Sequence, residues 1–423
     1  GILRNLICFC PLFLKKNKNY IVKHTKNIFL ISSLILSILN AHVGSPSPIK
    51  VFQPNGNEIT IHVKGDHLHN WHDYNGWTIV KDNDWWVYAL GNNGKELIPS
   101  QIKVDYTDNP NEINPNIEKG IKPDPYQLLD NSPIPNLQLT RSDTFRVPLI
   151  LVEFPDAGAV YESSQLDSMM NQQGYTHLNY DNTGSFRDFY QEISYGQFLP
   201  IADISRWFTA PNNHDYYGYN NGYQRVRQLV RDMVDSLEAS GFNWSIYDND
   251  GDGYVDALTL IHQGPGAEEG DQTNIWSHKW NLGNLAVSYD GVIIDSYNMN
   301  PEIQNGNIVA IGVLAHEFGH SLGLPDLYDT DYSSTGAGKL SLMASGSWGT
   351  SGNTPWYPSS MVGWIKNELG WVDIVEIDED QTNVAVEQSY SSNIIYRVNH
   401  SQVEEEYWLI ENRQKIGSDT LIT

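Results

Sequence analysis

The residues with the most chemistry to offer are His316, Glu317 and His320, in the run His316-Glu-Phe-Gly-His320-Ser-Leu-Gly323-Leu-Pro-Asp326 behind an apolar stretch at 308–315. On a helix, imidazoles at i and i+4 stand on one face a turn apart, the placement that two ligands of one Zn²⁺ require. Glu317 then lies beside the metal rather than on it. There it can take the proton of a water whose pKa the metal has lowered to about 7. Gly323 is expected to end the helix and turn the backbone sharply, so that Asp326, ten positions after His316, comes back as a third ligand. Asp329 or a remote carboxylate is the alternative third ligand. The competing reading of these residues is a helix with two structural histidines and a solvated glutamate. His278, between Trp276 and Trp280, reads as a core histidine rather than a further ligand.

A second cluster lies upstream. Asp248-Asn-Asp250-Gly-Asp252-Gly253-Tyr254-Val-Asp256 sets carboxylates at loop positions 1, 3, 5 and 9, a glycine at 6 for the sharp turn and the Tyr254 carbonyl at 7, the oxygen cage of a hard cation. Thr259 stands where an EF-hand has its bidentate glutamate, and a strand-like run at 255–261 follows in place of a helix. The expectation is a Ca²⁺ loop that is EF-hand-like in ligands but not in fold. Its role is structural, because four bare carboxylates so close together repel and open the loop. A solvated acidic turn is the alternative.

Composition limits what can surround these groups. The chain has 423 residues with 26 Lys+Arg against 51 Asp+Glu, a formal charge of −25. The basic residues Arg4, Lys15, Lys16, Lys18, Lys23 and Lys26 stand in a leader without acids, so the body is more acidic still and does not bind nucleic acid backbone. Both cysteines, Cys8 and Cys10, belong to that leader, which leaves the body no thiolate for metal or nucleophilic work. Any metal is held by histidine and carboxylate. The apolar run at 28–39, behind Lys23 and Lys26 and ahead of Ala41 and Gly44, has the plan of a signal peptide. It falls short of the roughly 20 residues that span a bilayer, so a secreted, extracellular protein without a stable membrane span is expected.

Positioning the site then falls to the elements downstream of that leader, residues 1–44. Alternation in Glu58-Ile-Thr-Ile-His-Val63 and Trp85-Trp-Val-Tyr-Ala-Leu90 marks residues 45–143 as a small β-rich unit. It closes in a Pro- and Asn-rich linker at 108–136 that is expected to stay extended. Residues 146–154 read as a buried strand. Val226, Leu229, Val230, Met233, Val234 and Leu237 read as the core face of a helix stopped by Gly241. The outcome is an α+β catalytic unit over 144–375, with the zinc helix under a twisted sheet, followed by a β-rich segment at 376–423 that is expected to be truncated.

With these motifs in place, the chain resembles the immune inhibitor A-like family of secreted bacterial metalloproteases, whose sequences carry HEFGHxLGLPDxYD as this one does at 316–329. The stretches 146–156, 184–190, 275–280 and 406–413 look like further family blocks, so the resemblance covers about residues 48–423. The extended spacing is similar to the metzincin plan, in which a methionine on a tight turn floors the zinc site. Met343, in Ser341-Leu-Met343-Ala-Ser-Gly346, fits that role. Metzincins usually place a histidine third, and the carboxylate of Asp326 would make the site less positive and weaken its acidification of water. The resemblance implies a secreted zinc endopeptidase with protein or peptide substrates, made as a zymogen whose propeptide reaches about residue 143. A monomer is expected, with surface attachment through a missing C-terminal part as an option. No cysteine is present in the body to cap the zinc. Asp66, His67, His69 and His72 are therefore weighed as blocking ligands against a histidine-rich turn with no metal contact, and Arg141 as the activation cleavage point. Two other readings stay open. One is a secreted calcium-stabilised binding module with a vestigial zinc site, the other a zinc hydrolase acting on a non-peptide amide.

Overall fold

The computed structural model describes residues 6–7, 44–66, 69–94, 96–124, 144–176, 184–221, 223–329, 334–379, 381–399 and 406–422. Both cysteines, the signal-like run, His67 and Arg141 lie outside the described residues.

Period-two alternation builds the N-terminal unit. β1 (Ile49–Phe52), β2 (Glu58–Gly65), β3 (Asn70–Tyr74), β4 (Trp77–Asp82), β5 (Trp85–Asn92) and β6 (Leu97–Lys103) pair antiparallel in chain order as a six-stranded meander. Ile59 and Ile61, Trp77 and Ile79, and Trp86 and Tyr88 sit two apart on their strands and bury one face together. The Pro- and Asn-rich stretch behind the meander differs from expectation over 108–124, where it packs rather than running extended. Ile117 enters the same core. The carbonyls of Ile121, Lys122 and Pro123 accept hydrogen bonds from Thr78, Asn92 and His69, so side chains satisfy a backbone that proline keeps out of the sheet.

The second unit is a sheet covered on both faces. Its elements are β7 (Thr144–Glu153), α1 (Ser163–Asn171), α2 (Phe186–Ile193), β8 (Leu199–Thr209), α3 (Tyr223–Glu238), β9 (Leu258–Pro265), β10 (His278–Asn281), β11 (Ser296–Gln304), α4 (Ile311–Ser321) and α5 (Gly363–Glu368). The strand order is β10-β11-β9-β7-β8, with β10 antiparallel at one edge and the other pairs parallel. A strand buried on both faces needs a continuous apolar run, and β7 has one. Val147, Leu149 and Leu151 face α1, α2 and α4, while Ile150 and Val152 face α3. On α3 the six apolar residues spaced for one face are all buried. The result is a mixed α/β fold. Among the described residues no helix is long and apolar enough to cross a membrane.

The meander docks on this unit: Val63 is buried with Ala267 and Trp276, Ser45 donates its N–H to the Glu268 carbonyl, and Asn70 donates to the Tyr219 hydroxyl. At the other end of the chain, β12 (Asp373–Glu376), β13 (Ile394–Asn399) and β14 (Tyr407–Ile410) form a small sheet. The chain then returns to α2, where the Ser418 N–H donates to Glu192 at 2.7 Å.

Every residue of α4 is buried, so the helix must fit its surroundings on all sides. On one side, Phe318 packs among Phe145, Phe186, Tyr190 and Phe198. The Tyr190 hydroxyl also donates to the Ala315 carbonyl at 2.7 Å. Elsewhere glycine is required. A Cβ on Gly312 would collide with the carbonyl oxygens of Ser347 and Pro355, and one on Gly319 with the sulfur of Met343. Gly319→Ala is expected to cost about 1–3 kcal/mol by overpacking, despite alanine's better helix propensity. Combined with Met343→Ala, which opens the space, the loss should fall short of the sum of the single losses by at least about 1 kcal/mol. Chemical denaturation of the four proteins measures this, and strict additivity would show that the methionine is not what the glycine accommodates.

Candidate metal centre

The helical period brings His316 and His320 together, with their Nε2 atoms 3.0 Å apart. Helix α4 stops at Ser321, and Gly323 takes a φ of 82° that admits a sharp reversal. The Leu324 N–H reaches back to the Gly319 carbonyl at 3.2 Å. The reversed chain delivers Asp326, whose Oδ1 lies 3.1 Å from Nε2 of His316 and 3.3 Å from Nε2 of His320. All three side chains are shielded from solvent. Asp329 lies outside this group, and its Oδ2 accepts the Ser334 N–H at 2.7 Å.

Hydrogen bonding behind the imidazoles decides what the group can hold. Nδ1 of His316 lies 2.8 Å from the Leu342 carbonyl and Nδ1 of His320 lies 2.8 Å from the Leu324 carbonyl. A carbonyl only accepts, so both Nδ1 atoms carry a proton, which leaves each Nε2 as the nitrogen able to face a cation. Burial lowers the His320 pKa, against the pull of Asp326. Burial alone would raise the Asp326 carboxyl, but the facing imidazoles of His320 and His316 outweigh it and hold it well below the usual carboxylate range. Two nitrogen lone pairs and a carboxylate oxygen facing one point fit a divalent cation of zinc's ligand preference.

Glu317, next to His316 on α4, is fully buried. Met343 is fully buried against α4, with its carbonyl accepting the Leu327 N–H at 2.6 Å. The carbonyls that aim the two histidines, the two close-packing glycines and Tyr190 carry no motif, and the sequence reading did not single them out. His278 is buried in the sheet, its Nδ1 at 2.6 Å from the Trp276 carbonyl.

The acidic loop comes together in part. Carboxylate oxygens of Asp248, Asp250 and Asp256 lie within 4.8 Å of one another. Burial pushes the Asp256 carboxyl up to about 7, the charge of Asp250 adding to it against the N–H of Asn249. Oδ1 of Asp248 is buried without a hydrogen-bond partner. Asp252 stays outside the group and accepts the Tyr254 N–H at 2.8 Å. A strand, β9, follows the loop.

None of the described N-terminal candidates joins the metal group. Nε2 of His69 meets the Pro123 carbonyl at 2.7 Å, and the His72 ring packs edge-on against Trp86. The buried carboxylate of Asp66 accepts from the hydroxyl of Tyr328, two residues past Asp326, at 3.3 Å.

Comparison with known proteins agrees with this geometry. The family described as Immune inhibitor A peptidase M6, catalytic domain, matches residues 141–372. Immune inhibitor A of Bacillus thuringiensis subsp. alesti is 32% identical over 244 residues, covering 48% of this chain and 35% of that protein. Pre-pro-metalloprotease PrtV of Vibrio cholerae serotype O1 (strain M66-2) is 31% identical over 286 residues, covering 55% of this chain and 30% of that protein. The chain thus matches only about a third of the length of these relatives. A match that spans both the sheet and the metal helix places the chain plainly: it belongs to the immune inhibitor A (peptidase M6) family of metalloproteases.

Proposed function

We propose that the chain is a secreted zinc-dependent endopeptidase, made as a zymogen and stabilised by calcium. The observation that carries this reading is the convergence of His316, His320 and Asp326, one residue from a buried glutamate. These three would hold the metal. When bound, zinc supplies Lewis acidity, lowering the pKa of a water and polarising the scissile carbonyl. The rest falls to Glu317. As a carboxylate it takes the proton of the attacking water, and as a carboxylic acid it returns that proton to the departing amine, which regenerates the carboxylate. Its burial strengthens each of these electrostatic steps. Gly323 turns the chain to bring Asp326 in, and Met343 floors the site.

Peptide substrates follow from the family and from the relatives named as proteases. The zymogen reading rests on the docked N-terminal meander and on the contact of Asp66 with Tyr328 beside the metal loop. Secretion rests on the signal-like leader. Activation by cleavage after Arg141 would free the meander. Casein hydrolysis by the processed protein should vanish with a zinc chelator, and should fall at least about 100-fold in Glu317→Ala carrying equal zinc. A zinc-loaded wild type that cleaves neither casein nor other peptides would favour the binding module or a non-peptide amide.

The calcium site would use Asp248, Asp250, Asp252, the Tyr254 carbonyl and Asp256. Support comes from the grouped carboxylates and the buried, unpartnered oxygen of Asp248. Removing calcium should lower the melting temperature by several degrees. In Asp256→Asn the added calcium should restore little of that loss. A melting temperature indifferent to calcium in the wild type would return the loop to a solvated acidic turn.

A further inference from the structure

One buried ion pair stands outside everything described so far. Arg413 and Asp419 lie in the segment that follows the small C-terminal sheet, beyond the 141–372 stretch that the family match covers. Both side chains are nearly solvent-free and they pair twice: Nε of Arg413 donates to Oδ2 of Asp419 at 2.7 Å and Nη2 donates to Oδ1. A bidentate pair of this kind fixes direction as well as distance. Each partner uses its remaining capacity on backbone of the catalytic unit. Nη1 of Arg413 donates to the Leu340 carbonyl, and Oδ1 of Asp419 accepts the Ser360 N–H at 3.3 Å.

Those two contacts grip the segment that aims the metal ligand. The Ser360 carbonyl accepts the Leu342 N–H at 3.3 Å. The Leu342 carbonyl in turn accepts from Nδ1 of His316 at 2.8 Å, and the next carbonyl, that of Met343, accepts the Leu327 N–H beside Asp326 at 2.6 Å. Backbone 340–343 therefore passes between the ion pair on one side and two of the three metal-facing groups on the other. Left unheld on that side, the turn at 341–344 would let the Leu342 carbonyl rotate, and with it the ring it orients.

We propose that Arg413 and Asp419 are positioning residues of the metal centre, holding backbone 340–343 and Ser360 so that Leu342 aims Nε2 of His316 at the metal. The proposal rests on the zinc reading above. It gives a role to the Glu406-Tyr-Trp-Leu-Ile-Glu-Asn-Arg413 block, which sequence reasoning singled out without explaining. Partners one shell out from a ligand typically affect metal affinity 10–100-fold, and these act one bond further back, so a loss of about 10-fold is expected.

The test measures Zn²⁺ affinity of the full chain by competition with a chromophoric chelator, and the Co²⁺ ligand-field spectrum of the same proteins. Asp419→Asn and Arg413→Lys are compared with Glu192→Ala, which removes the acceptor of the Ser418 N–H and so loosens the same segment without touching 340–343. Asp419→Asn and Arg413→Lys should bind Zn²⁺ about 10-fold more weakly with an altered Co²⁺ spectrum, while Glu192→Ala keeps wild-type affinity and spectrum even if its melting temperature falls as far. Wild-type affinity and spectrum in a folded Asp419→Asn would overturn the proposal, as would an equal loss in Glu192→Ala. If Asp419→Asn does not fold, the folded Arg413→Lys decides by the same two readings. A wild type that binds no Zn²⁺, or binds it unchanged in His316→Ala, would instead overturn the zinc reading and this proposal with it.

Discussion

Two imidazole nitrogens and a carboxylate oxygen, crowded within 3.3 Å of one another and closed off from water, are the constraint on which the rest of this structure depends. A buried ionised carboxylate costs several kcal/mol to desolvate, and positive charge beside it offsets that cost. Relaxation by turning away is blocked from behind. Each imidazole is tied through Nδ1 to a backbone carbonyl, and the helix carrying both is hemmed by the aromatic cluster around Phe318 and by the two close contacts that only glycine permits. A group that cannot relax and cannot be hydrated needs positive charge among its members, from a proton on an imidazole or from a bound cation. A metal held there would therefore be linked to the folding of this centre.

The backbone just after the metal loop is where these restraints meet. Residues 340–343 offer one carbonyl to His316, the next to Leu327, and an N–H to Ser360. Met343 meanwhile fills the space that Gly319 leaves open. A short irregular segment thus serves three masters, and its conformation is determined by hydrogen bonds at both edges rather than by any sheet. The polypeptide that holds its far edge comes from the end of the described chain, so the centre draws on residues far apart in sequence.

What could be read from the letters follows from this division. The spacing of His316 and His320 has a fixed meaning once a helix is granted, and the Gly323 reversal to Asp326 is local. The strand at 144–153 and the α3 face were equally legible, because burial on two faces or on one stripe leaves a periodic signal. The carbonyls of Leu342 and Leu324 were invisible, since every residue has a carbonyl and only the fold selects one. Gly312 carries the same letter as a turn glycine, yet its role is a close approach to two carbonyl oxygens. The stretch 108–124 looked like free linker because proline and asparagine suit that purpose; its packing depends on Ile117 and on donors from distant strands. Asp252 sits at a ligand position by count, but the loop bends it toward its own backbone.

The acidic loop is tied to the sheet in a way that gives its charge mechanical reach. Asn249, inside the loop, exchanges hydrogen bonds with the backbone of Arg146 at 2.8 and 3.0 Å, close to the start of β7. The Arg146 side chain pairs with Asp203 on β8, and Asp203 also accepts from the hydroxyl of Tyr247, the residue just before the loop. On its far side the loop feeds β9 through Ala257, whose φ of 50° leaves no slack before the strand begins at Leu258. The loop therefore bears on β9 and β7 near their beginnings, and on the neighbouring β8 through Arg146 and Tyr247. Repulsion among Asp248, Asp250 and Asp256 would push on all three at once, in a chain whose net charge of −25 offers little surplus positive charge to offset it. Val147, Leu149 and Leu151 of β7 belong to the core that seats α4. Neutralising the loop would relieve that push, and the helix that carries His316 and His320 would then owe part of its footing to a cluster of carboxylates outside the metal centre.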